Sequence, residues 1–309
     1  MSIIERVAEL LAPIEQLNSK SSAPSDLDPI ARAVSKSIQR SGFLEATELA
    51  AQHEAKGLAV ESKAKARSAH PTRGTLGVDR DQLRRQGIIT PEGERSTNAE
   101  SFRRIKRQIL ANAAKSTADA RANLVLVTSA LAGEGKTFCA INLAISIAME
   151  MDRTVLLVDA DVAKPTVPQV LGVKAEQGLM DVLDRRIDLA EVLCKTDIGK
   201  LTLLPAGTAH QHATELLASD AMRGLLQEVA ERYHDRIIIF DSPPLLAASE
   251  AGVLASQMGQ IVMVVEAWQT PEAVLRAALG RIESSNVPIS LLLNKAEGSG
   301  KGYDYGGYD

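Results

Sequence analysis

The stretch LVLVTSALAGEGKTFCAINLAISIAM, residues 124–149, decides the fold. It begins with the apolar run 124–127, which is typical of a buried strand, and it ends with residues 138–149, whose apolar pattern predicts a helix. Between them, residues 130–137 contain two glycines and end in Gly-Lys-Thr. A strand, a glycine loop, Gly-Lys-Thr and a helix, in this order, form a phosphate-binding loop in the context that it requires.

The residues of this loop suit a bound polyphosphate. Gly133 and Gly135 allow backbone N–H groups to turn inward around phosphate oxygens, and the start of the following helix adds unpaired N–H groups. We expect Lys136 to reach the β- and γ-phosphates and the Thr137 hydroxyl to ligate Mg²⁺. Ala130 occupies the position of the usual first glycine, so the motif alone could be a chance Gly-Lys-Thr in a turn. Carboxylates further along the chain favour nucleotide binding.

Composition limits the class of protein. A chain of 309 residues, 45% of them hydrophobic, corresponds to one or two domains with an ample core. The net charge of −4 argues against a nucleic-acid partner. The sequence has neither a secretory signal nor an 18-residue apolar span, so we expect a cytoplasmic protein, at most peripheral at a membrane. Cys139 and Cys194 are expected to be reduced core residues.

After the first strand, short apolar segments alternate with amphipathic stretches such as 214–232, which we predict to be helical. This alternation predicts an α/β fold with a doubly wound, mostly parallel sheet. Ligands of such sheets bind at the carboxyl ends of the strands. The predicted strands are 124–128, 154–158, 201–204, 236–240, 261–265 and 289–293. The polar residues that this rule brings to one edge are Thr137, Asp159, Asp161, Asp241 and Asn294.

Three aspartates near strand ends are candidates for phosphate-transfer chemistry. Asp241 follows four apolar residues, which is where a nucleotidase holds Mg²⁺, although alone it could equally cap the next turn. Asp159 and Asp161 are two residues apart, so their side chains are expected to face different directions. One carboxylate could then face the metal while the other accepts a proton from an attacking hydroxyl.

For the N-terminal part of the chain, residues 1–96, the sequence predicts a helical region with a linker. Apolar residues at helical spacing over 3–14 are mixed with glutamates, which favours docking on protein over an anionic lipid surface. Residues 53–78 have few large apolar groups and predict a solvated, partly disordered linker. The pattern of residues 97–114 predicts a helix with an apolar stripe on one face. Its solvent-exposed faces would carry Arg103, Arg104, Lys106 and Arg107.

The last 14 residues, AEGSGKGYDYGGYD, contain three of the four tyrosines of the chain. The segment is too poor in apolar residues to fold and is expected to be mobile. Extended, it spans at most about 45–50 Å, enough to reach its own phosphate site or that of a neighbouring chain. The simpler alternative to a functional tail is a low-complexity segment that adheres non-specifically to other surfaces. The expected domains are therefore 1–96, 97–295 and the tail 296–309.

Several motifs together resemble a known family. VLLVDAD at 155–161, SALAGEGKT at 129–137, DSPP at 241–244, LLLNK at 291–295 and the tyrosine tail are similar to the bacterial tyrosine autokinases of exopolysaccharide assembly. These enzymes are P-loop NTPases of the branch that contains the cell-division and plasmid-partition ATPases. The N-terminal part is similar to members of exosortase-associated loci.

The resemblance implies a function and a set of site residues. ATP and Mg²⁺ would be the cofactors, and the phosphate acceptors would be Tyr303, Tyr305 and Tyr308. The nucleotide-binding residues would be Gly133, Glu134, Gly135, Lys136, Thr137, Phe138 and Asn294, the last of these at the adenine. Thr137, Asp161 and Asp241 would hold the metal, Asp159 would orient or deprotonate the tyrosine, and Lys136 and the three aspartates would be catalytic.

The resemblance also implies partners. Glu100, Arg103 and Lys106 are similar to a subunit-contact motif that builds a homo-oligomeric ring, although Lys106 replaces an arginine and loses its bidentate fork. A separate membrane-spanning chain-length regulator of polysaccharide synthesis would activate the kinase and bring it to the inner face of the membrane.

The main alternative is a positioning ATPase of the same branch, without a protein substrate. Partition ATPases carry a signature lysine five residues before the loop lysine, and this chain has Leu131 there. That difference and the tyrosine tail favour the kinase.

Overall fold

The computed structural model describes residues 75–93, 96–115, 121–232, 236–285 and 287–296. The three tail tyrosines and the helix predicted over residues 3–14 lie outside the described residues. The boundaries predicted at 96 and 295 stay predictions.

A seven-stranded sheet forms the centre of the described part of the chain, in the order β3-β4-β2-β5-β1-β6-β7. Its strands are β1 (Leu124–Ser129), β2 (Thr154–Asp159), β3 (Cys194–Lys195), β4 (Leu201–Leu204), β5 (Arg236–Asp241), β6 (Gln260–Glu266) and β7 (Ile289–Asn294). Every pair is parallel except β3 with β4. The predicted fold class is confirmed. The antiparallel edge strand β3 was missed, because two residues carry no periodicity.

Both faces of the sheet are buried, which explains why its central strands are apolar throughout. In β1, Leu124 and Leu126 pack into one core layer, whereas Val125 and Val127 pack into the other. The same alternation divides the residues of β5 between the two layers. Parallel strands covered on both faces have this continuous apolar composition.

Helices cover each face. They are α1 (Arg80–Arg85), α2 (Thr97–Lys115), α3 (Lys136–Ala148), α4 (Val167–Leu171), α5 (Leu179–Leu183), α6 (Leu189–Val192), α7 (Ala213–Leu217), α8 (Asp220–Arg232), α9 (Ser249–Ala255) and α10 (Glu272–Gly280), with a 3₁₀ turn at Glu283–Ser285. Residues of α1 to α4 join one layer, and residues of α5 to α10 join the other. None of the helices in the described residues is long and apolar enough to cross a bilayer.

The single helix predicted over 214–232 is wrong. The chain breaks between α7 and α8, where the Ser219 hydroxyl accepts a hydrogen bond from the Met222 N–H at 3.3 Å. A serine that accepts a bond from a residue three positions later acts as an N-cap and starts a new helix. The apolar stripe of α8 continues the spacing of α7, so periodicity alone did not reveal the break.

Residues 75–93 pack with the core of the 97–295 region, across the boundary predicted at residue 96. Val78, Leu83 and Ile88 are buried in the same layer as Phe102 and Ile109 of α2. Residue 78 also ends the stretch that we predicted to be a solvated linker, and it is only 5% exposed. The burial of this segment was not predicted, because Val78, Leu83 and Ile88 follow neither a helical nor a strand period.

The two cysteines, Cys139 and Cys194, are buried and not joined in a disulfide, as predicted for core residues. Burial raises the pKa of the Cys139 thiol to about 12, so this thiol is inert at neutral pH.

We predict that Gly259→Ala destabilises the protein. A Cβ at this position, just before β6, would lie 2.0 Å from the backbone oxygen of Arg121, and two backbone segments would have to separate. We expect a loss of about 1–3 kcal/mol in the free energy of unfolding, or more, measured by urea denaturation. Gly252→Ala is the matched control, because a Cβ in this part of α9 has open space. It should be neutral or stabilising by up to about 1 kcal/mol, and equal effects of the two variants would contradict the explanation.

Candidate active site

The loop between β1 and α3 has a backbone that only glycine adopts readily at two points. Gly133 has φ of 88° and Gly135 has φ of 95°, both in the left-handed region. The helix α3 begins at Lys136, so its free N–H groups open onto the concave side of this loop. The predicted phosphate-binding segment therefore has a shape that can surround an anion.

Glu134 braces the loop from inside. It is only 2% exposed, and its carboxylate accepts bonds from the Leu131 N–H at 2.6 Å and from the Thr270 hydroxyl. The carbonyl of Glu134 accepts a bond from Asn294 at 2.8 Å, and the Gly133 carbonyl accepts one from Lys295 at 2.8 Å. The side chain of Glu134 is thus used within the protein, and only its backbone remains for a nucleotide. Sequence reasoning missed the contacts of Thr270 and Lys295 with this loop: Thr270 lies in no motif, and the LLLNK motif that ends in Lys295 does not indicate this contact.

Lys136 carries a positive charge in a nearly closed position. Lys136 is 8% exposed, and no acidic side chain of the described residues lies within ion-pair distance of its ammonium group. The charge is close enough to Asp161 and Asp241 to oppose the upward shift in their pKa values. A buried ammonium at a helix N-terminus, without a direct ion pair, is suited to an anionic ligand.

Asp159 and Asp241 are register partners at the ends of the adjacent strands β2 and β5, and both are 0% exposed. One oxygen of Asp241 accepts a 2.6 Å bond from the Thr137 hydroxyl. One oxygen of Asp159 accepts 3.0 Å bonds from the N–H groups of Thr166 and Val167, at the start of α4. The second oxygen of each carboxylate, Oδ1, is buried and has no hydrogen-bond partner in the described part of the chain.

This pair is electrostatically unfavourable when both groups are ionised. Burial raises the pKa of Asp159 to about 7 and that of Asp241 to about 8. The negative charge of Asp159 adds to the rise for Asp241, and the Thr137 hydroxyl opposes it. Two buried carboxylates with free oxygens require either protons or a cation.

The residues fit a magnesium ion that is shared with a nucleotide. The Thr137 hydroxyl and the free oxygen of Asp241 are hard oxygen ligands of the kind that Mg²⁺ prefers. Among the described residues, no group of three or more His, Cys, Asp and Glu could hold a metal by itself. A cation here would therefore complete its coordination with phosphate oxygens and water, as Mg²⁺ commonly does in phosphate-transfer sites.

Asp161 is the most accessible of the three aspartates. It lies just beyond β2, where its carboxylate accepts a 3.2 Å bond from the Lys164 N–H. Burial raises its pKa, while the charge of Lys136 acts in the opposite direction. It lies at the open side of the carboxylate cluster.

Asn294 and Phe138 flank the loop. Asn294 ends β7, and a Cβ built on Gly135 would lie 2.1 Å from its amide nitrogen, so the two residues are in close contact. The Phe138 ring packs edge-on against Phe102, with centroids 6.2 Å apart. The adenine contact of Asn294 stays a prediction.

The three residues of the subunit-contact motif lie on α2, but they differ in exposure. Arg103 forms a 2.8 Å ion pair with Glu100 at the surface. Lys106 is buried, where it donates a 2.9 Å bond to the Ser146 carbonyl and pairs with Glu150 at 2.5 Å. The prediction that Lys106 lies on a solvent-exposed face is therefore wrong, because α2 packs this side against α3. The predicted contact between subunits stays a prediction.

A phosphate-binding loop at the centre of this sheet defines the class of a P-loop NTPase. Comparisons with known proteins agree, since residues 123–270 match the family model described as an AAA domain. Tyrosine-protein kinase YwqD of Bacillus subtilis (strain 168) is 31% identical over 195 residues, which cover 63% of this chain and 79% of that protein. Tyrosine-protein kinase wzc of Salmonella typhi is 29% identical over 192 residues, covering 62% of this chain and 26% of that protein.

Among solved structures, the kinase domain of Escherichia coli tyrosine kinase ETK matches with a TM-score of 0.57 and 26% identity, over 73% of this chain and 97% of that one. The chain belongs to the bacterial tyrosine-protein kinase family. It covers most of the Bacillus relative but only about a quarter of the Salmonella relative.

We predict that the stability of the metal-free protein falls as pH rises through the range 5 to 8. The pKa values of Asp159 and Asp241 are about 7 and 8 in the folded state, against about 3.9 for an unperturbed aspartate. The unfolded state therefore loses its protons first, and each further pH unit costs up to about 1.4 kcal/mol per carboxylate. Below about pH 4, both states are protonated and the effect ends.

Thermal unfolding between pH 5 and 8.5 in a chelator measures this effect. Asp241→Asn should flatten the decline and raise stability at pH 8, whereas Asp152→Asn, at an exposed position, should leave it unchanged. Parallel pH profiles for Asp241→Asn and the wild type would contradict the assignment.

Proposed function

We propose that this chain is an ATP- and Mg²⁺-dependent tyrosine autokinase that phosphorylates Tyr303, Tyr305 and Tyr308. The observation that carries the proposal is the pair of fully buried strand-end carboxylates, Asp159 and Asp241, near Lys136, which forms no ion pair with an acidic side chain of the described residues. In the reaction, the tyrosine oxygen forms a bond to the γ-phosphorus. The bond from that phosphorus to the β,γ-bridging oxygen breaks, and ADP leaves.

Lys136 and the loop are proposed to bind the triphosphate. The N–H groups at the start of α3 and around Gly133 and Gly135 would surround the phosphate oxygens, while the ammonium neutralises charge at the β- and γ-phosphates. Lys164 directly follows Ala163, the position at which the resembled family usually has an arginine, and is a further candidate for stabilising the transferring group.

Thr137, Asp161 and Asp241 are proposed to hold Mg²⁺. When bound, the ion would neutralise charge on the β- and γ-phosphates. The 2.6 Å bond between Thr137 and Asp241 supports this assignment, because it already brings a hydroxyl and a carboxylate together.

Asp159 is proposed to accept the proton of the attacking tyrosine. Its pKa of about 7 is near the operating pH, where a general base is most effective. The two N–H bonds from the start of α4 hold one oxygen in place and leave Oδ1 for the hydroxyl. Because Asp159 is closed to solvent and Asp161 is not, the two aspartates could exchange roles. In that case Asp159→Asn, and not Asp161→Asn, would raise the Mg²⁺ concentration required for half-maximal labelling.

The tail is proposed to deliver the acceptor. The last described strand ends at Asn294, on the edge that carries the loop, and Lys295 is bonded to the loop itself. Tyr308 lies twelve positions after Ala296, a reach of about 40 Å when extended. A hydroxyl tethered at this distance has a high effective concentration at the site. Phosphates added beside Asp304 and Asp309 would repel each other and favour release of the tail.

Transfer is proposed to occur between chains in a homo-oligomeric ring. The exposed pair Glu100 and Arg103 supports a subunit contact on α2, where Arg103 is free to exchange partners. By resemblance to the family, a membrane-spanning chain-length regulator would activate the kinase at the inner face of the membrane, and phosphorylation would regulate exopolysaccharide polymerisation or export. Family membership favours this function over a positioning ATPase.

A phosphosite map tests the kinase proposal. After incubation with Mg·ATP, together with the cytoplasmic segment of an activator, mass spectrometry should find phosphate on Tyr303, Tyr305 and Tyr308 but not on Tyr233. Lys136→Met should reduce labelling by at least about 100-fold, because it removes the charge at the transferring phosphate. Lys174→Met, at an exposed lysine, should have no effect. An unlabelled tail in the wild type would refute the proposal.

A mixing experiment tests transfer between chains. A Lys136→Met chain with an intact tail is combined with an active chain that ends at residue 296. The Lys136→Met chain should become labelled, since its tail can reach the active neighbour. If it stays unlabelled while the wild type labels itself, transfer occurs within one chain.

A further inference from the structure

The only tryptophan of the chain, Trp268, lies in the turn that follows β6. It is 76% exposed, and its φ is 64°. A bulky residue in the left-handed region is a conformational outlier that costs of order 1–3 kcal/mol. An exposed indole on a strained backbone contributes little to the fold, which suggests a role in binding.

Hydrogen bonds attach this turn to the active site. The Ala267 N–H donates to the Asn294 carbonyl at 2.9 Å, and the Thr270 N–H closes the turn on Glu266 at 3.2 Å. The Thr270 hydroxyl also donates to Glu134, inside the phosphate loop. Trp268 thus lies between Ala267, which is bonded to the end of β7, and Thr270, which is bonded to the phosphate loop.

The sheet order shows which part of a nucleotide would reach this turn. The strands β2 and β5, which end in Asp159 and Asp241, lie on one side of β1 and its loop, whereas β6 and β7 lie on the other side. The reacting γ-phosphate belongs on the carboxylate side, where the metal and the base would be. The nucleoside must then extend toward β6 and β7, and hence toward Trp268.

We infer that Trp268 is the stacking platform for the purine base of the nucleotide. This inference rests on the proposed function, because it requires ATP in the orientation described above. Aromatic side chains stack on bases through their π faces, and such stacking contributes about 1–3 kcal/mol per base. Asn294, on the neighbouring strand end, would then contact the edge of the same base.

Intrinsic fluorescence of the full chain tests the inference, since Trp268 is the only indole. Mg·ADP should change the emission, whereas Mg·tripolyphosphate, which occupies the loop without a base, should leave it nearly unchanged. The Trp268→Phe protein supplies the tyrosine background. An equal response to both ligands, or no response to saturating Mg·ADP, would overturn the inference.

Two variants at this position separate the ring from the backbone. Trp268→Gly removes the ring and suits the positive φ, so the fold should be retained, whereas Trp268→Phe keeps an aromatic face. In calorimetric titrations, Trp268→Gly should weaken Mg·ADP binding by roughly 5- to 100-fold, and Trp268→Phe by less than about fivefold. Tripolyphosphate binding should change by less than about twofold in both variants, because neither touches the loop residues.

An unchanged ratio of ADP to tripolyphosphate affinity in Trp268→Gly would overturn the stacking role. In that case, the phosphosite map of the wild type would still be positive. Failure of the kinase proposal would instead appear as an unlabelled tail, whatever the affinity of Trp268→Gly for Mg·ADP.

Discussion

The active site depends on two carboxylates that the sheet buries side by side. Asp159 and Asp241 end adjacent strands in register, and neither is open to water. The spacing of paired strands, about 4.8 Å, fixes the positions of the two backbones, so the sheet keeps both residues in this closed site. A buried charge without a partner is costly, and the free oxygens of both groups therefore favour a proton or a cation.

The same constraint explains what surrounds the pair. Thr137 and Lys136 begin α3 and bring a hydroxyl and an ammonium to the carboxylates, while the start of α4 donates two N–H groups to Asp159. Each of these groups offsets part of the negative charge, and none removes it, since the pKa values of Asp159 and Asp241 stay well above the ordinary range. The remaining imbalance favours a metal ion and its phosphate ligand.

On the other side of β1, hydrogen bonds tie the phosphate loop to the neighbouring strands. Glu134 links the phosphate loop to the turn after β6, and Asn294 and Lys295 link it to the end of β7. The loop is thereby fixed to both strands before any ligand arrives, which reduces the conformational entropy that binding must cost. The chain leaves the sheet at Lys295, so the root of the tyrosine tail is part of the same bonded unit.

The sequence by itself determined the fold class, because short, continuous apolar runs, separated by amphipathic stretches, allow few arrangements other than a parallel sheet. It also marked Lys136, Thr137 and the strand-end aspartates, since a phosphate loop and acidic strand ends have local signatures. Only the tertiary structure decided that Lys106 is buried against α3, that Glu134 braces the loop, and that Trp268 is held near β7. Those outcomes depend on contacts between residues far apart in the chain, and local periodicity contains no information about such contacts.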